Sequence, residues 1–156
     1  MTTNSNRLRL RTYTSDDEAF FVGLNTDQTV RAYMDGALST SDALSLFRRI
    51  LAQPKDRWLI ETIGCRPVGH AFVTRDGQDG LPEVGVMLMA EVWGQGFGTE
   101  ALFALKEILY AQGMHTLVAT VDEGHQASHR MLCAAGFRRQ RLACDEEGPF
   151  WVYLSP

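Results

Sequence analysis

Residues 93–101 read WGQGFGTEA, and no other stretch restricts the fold of this chain so tightly. Gly94, Gly96 and Gly98 separate an apolar run ending near Met89 from an amphipathic run starting near Thr99. An apolar run of strand length that hands over to a helical period needs a tight turn at the join. Glycine supplies positive φ there and keeps side chains away from anything approaching the backbone. The amides that open the helix lack intrahelical partners and carry partial positive charge, so the junction suits a phosphate.

Spacing narrows the ligand. A Walker A loop needs GxxxxGK followed by Ser or Thr, and the sequence has no such lysine. A dinucleotide fingerprint needs GxGxxG, whereas Gly94, Gly96 and Gly98 are followed by Thr99. Asp122, after the apolar run 116–121, stands where a ribose-binding acid would, but the glycine spacing is wrong for it. Both nucleotide readings fail. A coenzyme A diphosphate, or a turn with no ligand, remains.

The other elements follow from periodicity. Residues 7–12, RLRLRT, alternate charged and apolar and predict an edge strand with one buried face. Ser15, with Asp16, Asp17 and Glu18 behind it, predicts an N-cap ahead of Phe20, Phe21 and Leu24. A second helix is predicted from about residue 40, with Leu44, Phe47, Ile50 and Leu51 at helical spacing and an end before Pro54. Residues 26–38 between the two are mixed in character. Residues 58–63, 68–74 and 83–89 read as consecutive strands with short turns, hence an antiparallel meander. Residues 99–112 carry Ala101, Leu102, Leu105, Ile108 and Leu109 on one helical face and stop at Gly113. A strand over 116–121, a helix over 126–135 closed by Gly136, and strands over 137–143 and 150–154 complete the order. The class is α/β with a mixed sheet.

Composition bounds the function. At 156 residues, one domain over residues 1–156 is expected. The net charge of −4 and pI of about 5.5 argue against nonspecific nucleic-acid binding and agree in sign with a cationic partner. No apolar run reaches the roughly 18 to 20 residues of a spanning helix, and the polar stretch 1–6 lacks the apolar core of a signal peptide. A cytoplasmic protein, away from membranes, is expected. Cys65, Cys133 and Cys144 have no metal-ligand spacing, so no metal is expected and the thiols read as free and buried.

Two blocks carry a family resemblance. WGQGFG resembles the acetyl-CoA signature of the GNAT superfamily of N-acetyltransferases, Arg or Gln followed by xxGxG or xxGxA, with Trp93 in the first position. About 30 residues on, HQASHRMLCAAGF (residues 125–137) resembles the NxxSxRxxxxxGF block of the RimJ/RimL-like branch, with His125 where Asn is usual. The resemblance covers nearly the whole chain and is weakest over residues 26–37. It implies a mixed, mostly antiparallel, twisted sheet flanked by helices and splayed at the central strands that receive acetyl-CoA. The diphosphate would rest on the amides of Gln95, Gly96, Phe97, Gly98 and Thr99. The pantetheine arm would lie along Val86, Met87, Leu88 and Met89, with the Leu88 or Met89 amide facing the thioester carbonyl. His125, Ser128 and Met131 would line the opposite wall.

The same resemblance points to the chemistry. An ammonium must lose a proton before attacking a thioester. Glu83, opening an EVG segment like the EIG of similar enzymes, is the implied base. Ser128 is the implied proton donor to the leaving thiolate, its plain alternative being an N-terminal helix cap. The tyrosine that many members carry four residues later is replaced by Leu132. His70 reads as a structural histidine, His115 and His129 as surface residues, and Cys133 as a packing thiol. Tyr33, Met34 and Trp58 are candidates for the acceptor wall, and Asp27 or Asp35 for holding a cationic amine. The function implied is direct acetyl transfer from acetyl-CoA to a primary amine, a protein N-terminus or a small molecule. The alternatives are a catalytically inactive acyl-CoA-binding or sensing module and a glycine-turn domain that binds no CoA. Homodimers are frequent among similar proteins.

Overall fold

The computed structural model describes residues 3–156, so Met1 and Thr2 of the polar N-terminal stretch lie outside the described residues. Its strands are β1 (Thr3–Asn4), β2 (Leu8–Arg11), β3 (Arg57–Thr62), β4 (Pro67–Thr74), β5 (Glu83–Leu88), β6 (Leu117–Asp122), β7 (Arg138–Asp145) and β8 (Gly148–Ser155). Four helices accompany them: α1 (Glu18–Asn25), α2 (Thr40–Ala52), α3 (Phe97–Ala111) and α4 (Gln126–Ala134). One sheet results, in the order β1-β2-β3-β4-β5-β6-β8-β7. Every neighbouring pair is antiparallel except β5 and β6.

Strand alternation sorts the apolar residues onto two faces. On one face Leu8, Leu10, Trp58, Ile60 and Val84 pack with Leu102, Leu105, Ile108 and Leu109 of α3. On the other, Leu59 packs with Tyr13, with Phe21 of α1 and with Phe47 and Ile50 of α2. Gly98 lets α3 and α4 close together, because a Cβ there would stand 2.3 Å from Met131 Sδ. The serial positions of α2 agree with expectation, and its cap is Ser39, whose hydroxyl accepts from the Asp42 amide.

Local expectations fail at five places, some for a long-range reason and some for a local one. β2 is not an edge strand, because β1 pairs with its outer side. The first helical segment is capped by Thr14 rather than Ser15, in a capping box with Asp17. α3 begins at Phe97, not Thr99, because Gly96 at φ 79° ends the turn and its carbonyl accepts from the Glu100 amide. The three cysteines are free but exposed, Cys133 in α4 among them rather than packed in the core. His129 is also reversed: it is buried, with Nδ1 2.6 Å from the Tyr153 hydroxyl and Nε2 near the Asp122 and Glu123 carbonyls. It ties α4 to β8 and to the turn after β6. Among the described residues, no helix is long and apolar enough to cross a membrane and no His, Cys, Asp and Glu cluster could hold a metal.

Candidate active site

β6 pairs with β8 at six positions but with β5 at one, Glu83 opposite Val118. Beyond that point the parallel strands part. The Met89 amide donates to the Val68 carbonyl at 2.9 Å, which fixes the β4–β5 ladder. Antiparallel ladders alternate, so the Met87 and Gly85 backbone groups face β4 while those of Val86 and Leu88 face the opening. Sequence reasoning offered Leu88 or Met89 as the amide for a carbonyl. The register removes Met89, which is already bonded, and adds Val86.

The opening is a cleft of about 920 Å³. It collects Glu83, Val86, Met87, Leu88, Gly96, Phe97, Gly98, Thr99, His125, Ser128 and Met131. Met89 and Gln95 are not among its lining residues. Gln95 instead turns its carbonyl to Arg7, and its side-chain amide toward the Glu91 carbonyl. Phe72 stands over Gly85 so closely that a Cβ there would meet the ring at 2.2 Å, which explains the glycine in EVG.

Glu83 sits at the closed end of the parting. Its Oε1 accepts from the Thr120 hydroxyl and its Oε2 from the Gln78 amide, both at 2.9 Å. Ser128 does not cap α4; its hydroxyl lies 3.2 Å from His125 Nε2. The His125 ring in turn stacks on Tyr33, centroids 4.1 Å apart and 9° from parallel. Burial pushes the His125 imidazole below its ordinary range, with His129 adding to the effect and Asp122 opposing it.

Residues 26–38, unreadable as sequence, are organised around Arg31. Its guanidinium donates to the Gly36 and Met34 carbonyls at 2.8 Å and to Asn25 Oδ1 at 3.0 Å. This arrangement delivers Tyr33, Met34 and Asp35 to the cleft. Asp27 does not reach it, since its carboxylate caps the Thr29 and Val30 amides. Trp58 does not reach it either; it is buried beside a separate cavity of about 410 Å³. His70 is structural as expected, buried with Nδ1 2.6 Å from the Tyr13 hydroxyl.

Sequence reasoning named Asp35 but missed the rest of the acidic rim. Asp35, Asp122, Asp145 and Glu147 all line the cleft, with Arg31 and Arg130 the cations among its walls. The Asp35 carboxylate, which accepts a hydrogen bond from the protonated Glu147 carboxyl and repels its charged form, pushes Glu147 up. The run Asp145-Glu146-Glu147 was visible as an acidic turn, but only the pairing of β8 with β6 carries it to the cleft.

The family model for the acetyltransferase (GNAT) domain matches residues 7–138. The chain belongs to the GNAT acetyltransferase family. No curated protein matches it. Among solved structures it is similar to a GNAT-family acetyltransferase from Bacillus anthracis, at 20% identity and TM-score 0.89 over 99% of this chain and 98% of that one. It is also similar to spermidine N-acetyltransferase from Vibrio cholerae in complex with CoA and spermine, at 14% identity and TM-score 0.83 over 97% and 96%. A third is aminoglycoside acetyltransferase AAC(6')-Ib in complex with coenzyme A, at 20% identity and TM-score 0.79 over 95% and 94%. At these identities the likeness is one of fold.

Proposed function

We propose that this single acetyltransferase domain, of the RimJ/RimL-like branch, transfers an acetyl group from acetyl-CoA to a primary amine that arrives as an ammonium. The observation that carries the reading is the parted β5–β6 edge, open from Glu83 to a glycine turn at the start of α3. An extended chain with a diphosphate at one end fits that shape: the edge of β5 offers the Val86 backbone groups and the Leu88 amide, the Leu88 carbonyl being held by Trp93, and the α3 N-terminus offers amides. The spermidine and aminoglycoside enzymes of the same fold, solved with CoA, support it. The three exposed thiols suit a reducing cytoplasm.

Acetyl-CoA supplies the acetyl thioester; the residues of this chain divide the remaining work. The phosphate end lies at the C-terminal end of β5, so the acyl end points toward Glu83. Along a strand rising about 3.3 Å per residue, Val86 lies roughly 10 Å from Glu83 and Leu88 roughly 17 Å. The Val86 amide is therefore the donor to the developing oxyanion, a contribution of about 3 kcal/mol, and Leu88 pairs with the pantetheine arm. Glu83, held by Thr120 and Gln78, takes the ammonium proton through water. The Ser128 hydroxyl, oriented by His125, donates to the departing thiolate. Asp35, Asp122, Asp145 and Glu147 draw the cationic acceptor to the mouth.

The test is thiol release from acetyl-CoA against a panel of monoamines, polyamines, aminoglycosides and peptide N-termini. At least one amine should release thiol, and Glu83→Gln should lower kcat by about 100-fold or more with CoA binding retained. CoA at 100 times its Kd should stabilise both proteins by about 2.7 kcal/mol. CoA binding with no amine turned over, and Glu83→Gln indistinguishable from wild type, would sink the enzyme reading in favour of a CoA-binding module. No CoA stabilisation would sink both.

A further inference from the structure

Arg7 lies outside the cleft, just before β2, yet its side chain holds the glycine turn from behind. Nη1 donates to the Gln95 carbonyl at 2.9 Å. Nε and Nη2 both reach Glu100 Oε2 at 2.7 Å. The guanidinium carbon also stands 4.4 Å over the Phe97 ring. Glu100, in the first turn of α3, accepts further from the Arg7 amide at 2.8 Å and the Ser5 hydroxyl at 2.5 Å. Burial would raise its pKa, but the donors from Ser5 and Arg7 outweigh burial and hold the carboxyl below its ordinary range.

Two consequences follow from elementary geometry and charge. In a planar trans peptide the C=O and N–H point in opposite directions. A Gln95 carbonyl bound to Arg7 on the outside turns the Gly96 N–H inward, in keeping with Gly96 lining the cleft and Gln95 not. An ionised Glu100 one turn into α3 would by itself repel an anion from the helix N-terminus, and the Arg7 guanidinium cancels that charge. Trp93 cannot substitute, as its indole N–H donates to the Leu88 carbonyl at 2.9 Å and carries no charge.

We infer that Arg7 is a positioning residue for the diphosphate: it sets the Gln95–Gly96 peptide with its N–H toward the cleft and neutralises Glu100 beside it. The inference rests on reading the turn as the CoA diphosphate site. It makes the segment before β2 part of the cofactor site without touching the cofactor.

Calorimetry with CoA and kinetics with S-acetylpantetheine, which lacks the diphosphate, separate this role from a merely structural one. Losing one charge-assisted hydrogen bond corresponds to about tenfold in affinity. Arg7→Ala should therefore weaken CoA about tenfold while kcat/KM with S-acetylpantetheine changes less than twofold. Arg7→Lys, which keeps the charge but cannot hold Gln95 and Glu100 together, should fall between, and it carries the test should Arg7→Ala fail to fold. A CoA Kd within twofold of wild type in folded variants overturns the inference, as does an equal loss with both donors. A wild type that binds no CoA overturns the site reading first, and this inference with it.

Discussion

Lowering the pH from 7 to 5 should destabilise the protein by about 2 kcal/mol through His70 alone. His70 is buried in β4, accepts from the Tyr13 hydroxyl at Nδ1 and bonds the Trp58 backbone. Burial, aided by the charges of Arg57 and Arg31, lowers its pKa from 6.5 to about 3. Between those values the unfolded chain takes up a proton that the folded one refuses. The stabilisation is therefore complete above about pH 6.5 and is lost as pH falls toward the folded value. Once the unfolded imidazole is mostly protonated, the loss runs at about 1.36 kcal/mol per pH unit, which gives the figure above for the descent to pH 5. His70→Asn keeps an acceptor for Tyr13 and cannot titrate. Urea unfolding at pH 7, 6 and 5 measures both proteins, and the stability of wild type minus variant should shrink by about 2 kcal/mol across the series. The readout is that difference, so a lower absolute stability of the variant is immaterial. Parallel pH dependences in the two proteins would refute the reasoning.

Two further substitutions probe the frame around the cleft. Glu61 is buried between Arg9 and Arg11, bonding both, and Arg11 also forks onto Asp17. Glu61→Ala should cost about 1 to 2 kcal/mol, since it removes charge-assisted hydrogen bonds but leaves no buried charge unpaired, both guanidiniums reaching water; denaturant midpoints at unchanged m-value check it. Gly96→Ala places a Cβ at φ 79° and 3.4 Å from Arg7 Nη2. The left-handed backbone costs about 1 to 2 kcal/mol, and calorimetry should show weaker CoA binding with little change at a control outside the cleft such as Gly23→Ala in α1, where no atom lies within 4 Å.

Elements with a local cause were legible. Ser39 and the spacing of Phe47 and Ile50 define α2, Gly113 and Gly136 stop two helices, and GQGFG marks the strand-to-helix junction. Gly96, Gly98, His125 and Ser128, named from two short blocks, line one cleft because they sit on elements whose form is set within a few residues. Helix boundaries aside, what failed depended on partners distant in sequence. His129 and Cys133, four residues apart, share a face of α4; His129 is buried where the Tyr153 hydroxyl and the Asp122 and Glu123 carbonyls meet its ring, and Cys133, one turn on, is exposed. Trp58 and Tyr33 were equivalent as aromatic residues; β3 takes one into the core, and the Arg31 hydrogen bonds bring the other to the cleft.

The sequence alone thus determined the class of fold and a helix N-terminus shaped for phosphate, because turn geometry and hydrophobic period are written in adjacent residues. Only the tertiary structure decided which amides are free, what steadies Glu83, and that carboxylates from residues 35, 122, 145 and 147 share one rim. Those facts depend on strand register and on the parting of β5 from β6, which no local run of residues encodes.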